Sequence, residues 1–269
     1  MALPQPTRQG SSERVARHHY IRDAGLSISL LTAIPTPARW PEEGGTQVAG
    51  WFPAVGALFG LVGYAIVKGA ELLPVANEVP YVVATLVVIA WALMSRLLHY
   101  DGLADVADGY WGSHDRARRL EIMSDSHTGA FGASAVSLTA ILLVASIGFI
   151  LSAPHQGVVF IVPIFSRFAA TAAAWLGKPA RPGGLGRSVM GRPSVVSAVI
   201  ALLTLAAGAS LAWLVYDAAG LVSCGIGLLL ALGIPHVLSL RFGGVTGDVM
   251  GASVLITEAL MFAVVALVI

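Results

Sequence analysis

Charge is what this sequence has least of. Asp, Glu, Lys and Arg make up 12% of its 269 residues and hydrophobic residues 56%. A soluble domain carries about 25% charged residues, so an ordinary water-soluble domain is excluded. Basic and acidic residues nearly cancel, at 16 and 15. No cationic excess therefore points to nucleic acid. Cysteine is almost missing: Cys224 stands alone in an apolar stretch. It has no partner for an internal disulfide, and packing is its expected role. There is no His-Glu-x-x-His, no cysteine cluster and no Gly-x-Ser-x-Gly, which leaves zinc and serine-hydrolase chemistry without support. No repeat of fixed period and no low-complexity block interrupts the chain. Residues 1–25 are polar and basic and lack the apolar run and cleavage site of a signal peptide. They read as a disordered tail, with 26–269 as one membrane-embedded domain.

What is present in quantity is apolar runs. Mean hydropathy is +0.79. Runs long enough to cross a bilayer lie near Phe52–Leu73, Pro80–Leu98, Phe131–Ala153, Gly157–Leu176, Ser194–Val215, Gly220–Leu240 and Met250–Ile269. Leu26–Ile34 is too short to cross and reads as a re-entrant or interfacial segment. The expected fold is all-α: a polytopic membrane bundle of about seven transmembrane helices plus that short N-terminal helix. Arginines and lysines gather before the first span (Arg8, Arg14, Arg17, Arg22, Arg39), after the second (Arg116, Arg118, Arg119), after the fourth (Lys178, Arg181, Arg187, Arg192) and after the sixth (Arg241). The connections Pro74–Val79, Pro154–Gln156 and Tyr216–Ala219 carry none. The positive-inside rule puts the charged connections in the cytoplasm.

The scarce acids are concentrated. His99-Tyr-Asp-Gly-Leu-Ala-Asp-Val-Ala-Asp-Gly109 holds Asp101, Asp105 and Asp108 at i, i+4 and i+7. On a helix they share one face, where like charges repel. A divalent cation such as Mg²⁺ or Mn²⁺ among them rationalises the pattern. His99 points about 160° from Asp101 on the same helix and serves a different contact. In the next segment Glu121 and Asp125 are again i, i+4, placed to complete or flank a metal site. Arg118 and Arg119 suit phosphate, although membrane anchoring explains them equally well. Arg181-Pro-Gly-Gly-Leu-Gly186 is a glycine-rich loop able to cradle an anion, without the Lys-Ser/Thr ending of a P-loop. Asp248 precedes an apolar span. Arg167 lies inside one, a costly position that calls for a polar cavity or an acidic partner.

His99–Gly109, followed by Leu120-Glu-Ile-Met-Ser-Asp-Ser-His-Thr-Gly-Ala-Phe-Gly132, resembles the cobalamin synthase family, the adenosylcobinamide-GDP ribazoletransferases of the bacterial inner membrane. Leu31-Thr-Ala-Ile-Pro-Thr-Pro37, Phe52-Pro-Ala-Val-Gly56, Ser166-Arg167, Arg181–Gly186 and Gly243–Ala252 resemble its other signatures, in the family's order. The resemblance implies a Mg²⁺-dependent enzyme. A hydroxyl of α-ribazole or its 5′-phosphate attacks the phosphorus next to cobinamide in adenosylcobinamide-GDP, GMP leaves, and adenosylcobalamin or its phosphate forms. Splitting a diphosphate this way needs charge neutralisation more than covalent help. Read onto this chain, the resemblance makes Asp101, Asp105 and Asp108 metal ligands, with Asp125 a further ligand or the base. Arg118, Arg119, Arg167 and Arg181 contact diphosphate, and Asp248 orients the alcohol or the corrin side chains. It also implies a lipid environment, an active site facing the cytoplasm, and an open question of association with other enzymes of the pathway.

Two rival readings stay open on the residues. CDP-alcohol phosphotransferases also carry Asp-x-x-Asp-Gly, matched by Asp105–Gly109, but continue to Ala-Arg where this chain has Gly112-Ser113. A cation transporter would favour carboxylates at mid-membrane, whereas these lie at the end of a span.

Overall fold

The computed structural model describes residues 9–40, 47–73, 78–153 and 155–268, with the side chains of 9–19 and 185 outside the description. The regular elements among the described residues are all helices. In chain order the elements are α1 (Gln9–Leu31), a 3-10 turn (Val48–Trp51), α2 (Phe52–Ala70), α3 (Pro80–Met94), α4 (Leu98–Gly112), α5 (Arg116–Ile122), α6 (Ala130–Leu151), α7 (Val158–Leu176), α8 (Leu185–Val189), α9 (Val195–Phe242) and α10 (Gly247–Val268).

Five segments are long and apolar enough to cross a membrane: Val48–Ala70, α6, α7, α9 and α10. Helices α3 and α4 pass that test only as a pair, bent by 87°. Helix α9 has 48 residues, about 72 Å at ~1.5 Å per residue, more than twice the roughly 30 Å hydrocarbon core. It is broken at Asp217 (φ 49°, ψ −136°). A side chain at Gly220 would strike the Ala212 carbonyl, so the chain doubles back there. Arms 195–216 and 218–242 are each long enough to cross, and the seven apolar runs of the sequence each find a helix.

The centre of the bundle is α7. Nearly all of its side chains are buried, as expected of a helix apolar on every face. Helix α2 reaches it through Gly56 and Gly60, where any Cβ would meet the backbone of Pro163 and Phe160. Small residues at i and i+4 allow this backbone approach, and without a hydrophobic drive between helices in lipid, close packing is what holds them. The outer faces carry Leu138, Ile141, Phe149, Leu203, Leu214 and Leu229, all exposed, in keeping with a lipid-facing surface.

At the N-terminus α1 begins at Gln9, inside the polar stretch expected as a tail; residues 1–8 lie outside the described residues. Leu26–Ile34 is not a separate short helix. Up to Leu31 it is the end of α1, with Leu26 and Ser27 fully buried. The Ser27 hydroxyl donates to the Val48 carbonyl at 2.7 Å, which ties α1 to the 3-10 turn. Burying that end outweighs the weak apolar character of the rest.

Two ends of the bundle can be told apart. At one, Lys68 Nζ donates to Gln156 Oε1 at 2.8 Å, and the His155 and Tyr216 rings lie 5.5 Å apart. The turns after α6 and at Asp217 therefore meet there. The arginine-bearing segments occupy the other end, with α4.

Candidate active site

The acidic stripe is positioned by the sharp bend before it. Arg96 (φ 52°) and Leu97 (φ 61°) both adopt the left-handed backbone conformation, which costs an L-residue about 1–2 kcal/mol. The Arg96 guanidinium donates to the Ser29 carbonyl at 3.2 Å, helping to hold the bend against α1. After this turn α4 crosses the start of α10. Gly102 sits on the Asp248 backbone, and Gly251 faces the Leu98 carbonyl and His99 Cα. No side chain fits at residue 102 without moving α10.

The stripe runs from water inward: Asp101 is exposed, Asp105 half-buried and Asp108 buried. Burial opposes the ionisation of Asp105 most, and the charges of Asp248, Asp101 and Asp108 add to it, while Arg181 acts in the opposite sense. Asp248, in the first turn of α10, accepts a hydrogen bond from Thr246 Oγ1 at 3.2 Å. Thr246 Oγ1 in turn accepts the Val249 amide proton at 3.1 Å.

The glycine-rich loop closes the other side. Its root is stitched to the start of α10: the Val245 amide donates to Lys178 O at 2.7 Å and the Ala180 amide to Val245 O at 3.0 Å. Arg181 donates to the Leu120 carbonyl at 2.8 Å. Gly186 lies against the backbone of Thr246 and Gly247, with no room for a Cβ. Between loop, α4 and α10 opens a cleft of about 230 Å³. Asp101, Asp248, Arg181 and Arg187 line its polar part. Carboxylates face guanidiniums there, an arrangement able to hold a cation and an anion side by side.

Other expected site residues lie elsewhere. Asp108 is on the stripe, but its two oxygens accept the Gly129 and Gly132 amide protons at 2.7 and 2.9 Å, securing the first turn of α6. Asp125 is exposed and bonded to His127 Nδ1 at 2.7 Å; that hydrogen bond holds its carboxyl below the ordinary range. Arg118 is exposed and paired with Glu121 at 2.7 Å. Arg119 is buried, donating to Ser113 O at 2.7 Å and Arg241 O at 2.9 Å beneath the Tyr110 ring. It locks α5 to the end of α9. Arg167 does point into the bundle, but it does not line the cleft. Its guanidinium pairs with Glu258 of α10 and lies 4.1 Å from the centre of the Phe59 ring. Among the described residues, no three His, Cys, Asp or Glu side chains are gathered closely enough to hold a metal by themselves.

Three residues escaped the sequence reading. Glu258 is the partner that Arg167 requires, and its signal was a lone acid in an apolar run. Arg116 donates to the Phe242 and Gly243 carbonyls at 2.9 and 2.8 Å, capping α9. Arg187 stands in the sequence only as one of the charges that orient the chain. It carries the second positive charge of the cleft.

The family model for cobalamin-5-phosphate synthase matches residues 23–266, which takes in the bend, the stripe, the loop and α10. The chain belongs to this family. Similar proteins include the adenosylcobinamide-GDP ribazoletransferases of Corynebacterium efficiens, 34% identical over 90% of this chain and 94% of the relative, and of Syntrophobacter fumaroxidans, 36% identical over 90% and 97%. The Frankia casuarinae enzyme of that name is 34% identical over 91% and 94%. No solved structure matches the chain. Family membership removes the lipid-synthesis and transporter readings.

Proposed function

We infer that this chain is an adenosylcobinamide-GDP ribazoletransferase that works at the cytoplasmic face of the bacterial inner membrane. The observation that carries the reading is the cleft itself, where Asp101 and Asp248 face Arg181 and Arg187 in a chain of this family. The hydroxyl oxygen of α-ribazole, or of its 5′-phosphate, bonds to the phosphorus attached to cobinamide. The bond from that phosphorus to the bridging oxygen breaks, and GMP departs with the oxygen. Arg181 and Arg187 bind the diphosphate, since guanidinium forks match phosphate oxygens. Asp101 and Asp248 face them, so charge is balanced across the reacting diphosphate. The hydroxyl proton leaves toward this acidic side.

The donor set suits magnesium: hard carboxylate oxygens with little cationic competition around Asp105. The ligands are not gathered into a closed cage, and Mg²⁺ is commonly held by one or two carboxylates, water and substrate phosphates. One or two of Asp101, Asp105 and Asp248, with water and the substrate's phosphates, would hold it. When bound it neutralises charge developing on the diphosphate. Asp108, with both oxygens occupied by amide protons, supports the stripe from behind. The cytoplasmic orientation rests on arginine placement: the cleft shares its end of the bundle with the arginine-bearing segments.

The test is direct. Protein purified into lipid nanodiscs is given adenosylcobinamide-GDP, α-ribazole and Mg²⁺, and GMP is followed by mass spectrometry. GMP release dependent on α-ribazole, lost on chelation and restored by Mg²⁺, is expected. Release independent of α-ribazole, or none at all, overturns the reading.

A further inference from the structure

The cleft has a second part that the phosphate chemistry does not use. Below the charged rim its walls are apolar: Leu31, Phe52, Ala170, Met250 and Val254. Val254 lies about 9 Å along α10 from Asp248, at ~1.5 Å per residue. His99 also lines the cleft. It is 3% exposed, and its Nε2 is buried with no hydrogen-bond partner. A buried polar atom left unpaired costs about 1–3 kcal/mol, so in a functional cleft it marks where a ligand atom belongs.

We propose that this apolar floor is the subsite for the acceptor's base, and that His99 recognises the free ring nitrogen of that base. The proposal rests on the transferase reading above. Of the two substrates, the donor joins a corrin macrocycle to a guanine nucleotide and is too large to be enclosed. At about 230 Å³ the cleft lies just below the roughly 300–1,000 Å³ of drug-sized ligand pockets and has room for one small flat group rather than a macrocycle. The acceptor is a single nucleoside whose base, dimethylbenzimidazole, is a flat bicycle with two methyl groups. Its sole polar edge is one unsubstituted ring nitrogen, an acceptor. An apolar floor with one imidazole complements that edge: His99 in the tautomer with its proton on Nε2 donates a hydrogen bond to the nitrogen. With the base at the floor, the ribose hydroxyl reaches the rim at Asp101 and Asp248, opposite the arginines, where the diphosphate lies. The opposed faces of His99 and Asp101 on α4 thereby acquire distinct jobs, one for the base and one for the reacting end.

A competing occupant of the unpaired atom is a water bridging His99 Nε2 to Arg167 Nε, which is also buried without a partner. The two are separated with a nucleoside in which the free ring nitrogen is replaced by CH, the indole analogue of α-ribazole. In nanodiscs the wild-type enzyme is expected to show a KM about tenfold higher for the indole analogue than for α-ribazole, the cost of one buried hydrogen bond. His99→Phe is expected to raise the KM for α-ribazole by a similar factor and to abolish the difference between the two acceptors. Val254→Phe, which fills the floor, is expected to raise the acceptor KM more than tenfold and to leave the KM for adenosylcobinamide-GDP unchanged. Equilibrium dialysis of α-ribazole alone reads the same losses without turnover. Should Val254→Phe fail to fold, Val254→Ala is expected to gain on a naphthimidazole riboside, which has one ring more. Equal KM values for α-ribazole and the indole analogue in the wild type overturn the His99 assignment in favour of the bridging water. A shift in the donor KM rather than the acceptor KM overturns the floor assignment. Wild-type enzyme that never transfers ribazole sinks the underlying transferase reading instead, a distinct outcome.

Discussion

Asp108 secures Gly132. Its carboxylate on α4 takes the amide proton of Gly132 in the first turn of α6, and a Cβ at that glycine would collide with the same carboxylate and with the Ala104 backbone. The negative charge also sits where the helix dipole favours it. One member of the acidic stripe therefore holds the fold while Asp101 lines the cleft.

This division of labour gives opposite outcomes for similar substitutions. Asp108→Ala leaves two amide protons unpaired and is expected to destabilise the protein by about 1–3 kcal/mol, with Gly132→Ala lowering Tm likewise. Asp101→Asn and Asp105→Asn are expected to leave Tm unchanged and to reduce GMP release at least a hundredfold. Thermal unfolding in detergent beside the GMP assay distinguishes the two classes. Asp105→Asn with near-normal turnover would remove it from the site.

The Arg167–Glu258 pair is buried on both sides. Arg167→Met or Glu258→Leu alone strands a charge and is expected to cost about 3–5 kcal/mol. The double substitution is expected to restore most of that stability, since apolar replacements of a buried pair are often neutral. Full activity and stability of Arg167→Met alone would show that the pair carries no structural load.

At the bend, Leu97 is half exposed and left-handed. Leu97→Gly is expected to fold and work as well as wild type, because glycine adopts this conformation freely. Leu97→Val, β-branched, is expected to lower Tm and activity together as α4 loses its angle to α3. Equal Tm values for the two variants would show that the bend is held from elsewhere.

Orientation is read by thiol labelling in a Cys224→Ala background. Ala117→Cys on α5 is expected to resist a membrane-impermeant maleimide in intact cells and to label after lysis. Ala219→Cys, beside the break in α9, is expected to label from outside. The reverse pattern would turn the protein over.

Much of this was legible in the sequence, for physical reasons that differ by residue. The crossings announced themselves because lipid demands long apolar runs, and even the break at Asp217 shows as Tyr216–Ala219 between two of them. The spacing of Asp101, Asp105 and Asp108 gave their shared helix face. Which member turns inward was not legible. It depends on how closely Gly129 and Gly132 approach, and that is decided by residues far along the chain. Arg119 and Arg167 looked like phosphate ligands because an arginine's chemistry is the same whether its partner is a substrate, a carbonyl or Glu258. The polar start of α1 looked like a tail because its support comes from the contact of Ser27 with Val48, not from its own composition.

The crossing of Gly102 over Asp248 also has a consequence for biosynthesis. The ribosome makes the stripe first and the acid it packs against roughly 150 residues later. At ~5–20 residues per second this is an interval of about seven to thirty seconds. Throughout it, α4 must wait without the helix that walls one side of the cleft. The bend at Arg96 and Leu97 turns α4 away from α3 by 87°, so its aspartates need not follow α3 into the bilayer unaccompanied. Until its last helix arrives the nascent chain lacks Asp248, Met250 and Val254 and with them one wall of the cleft.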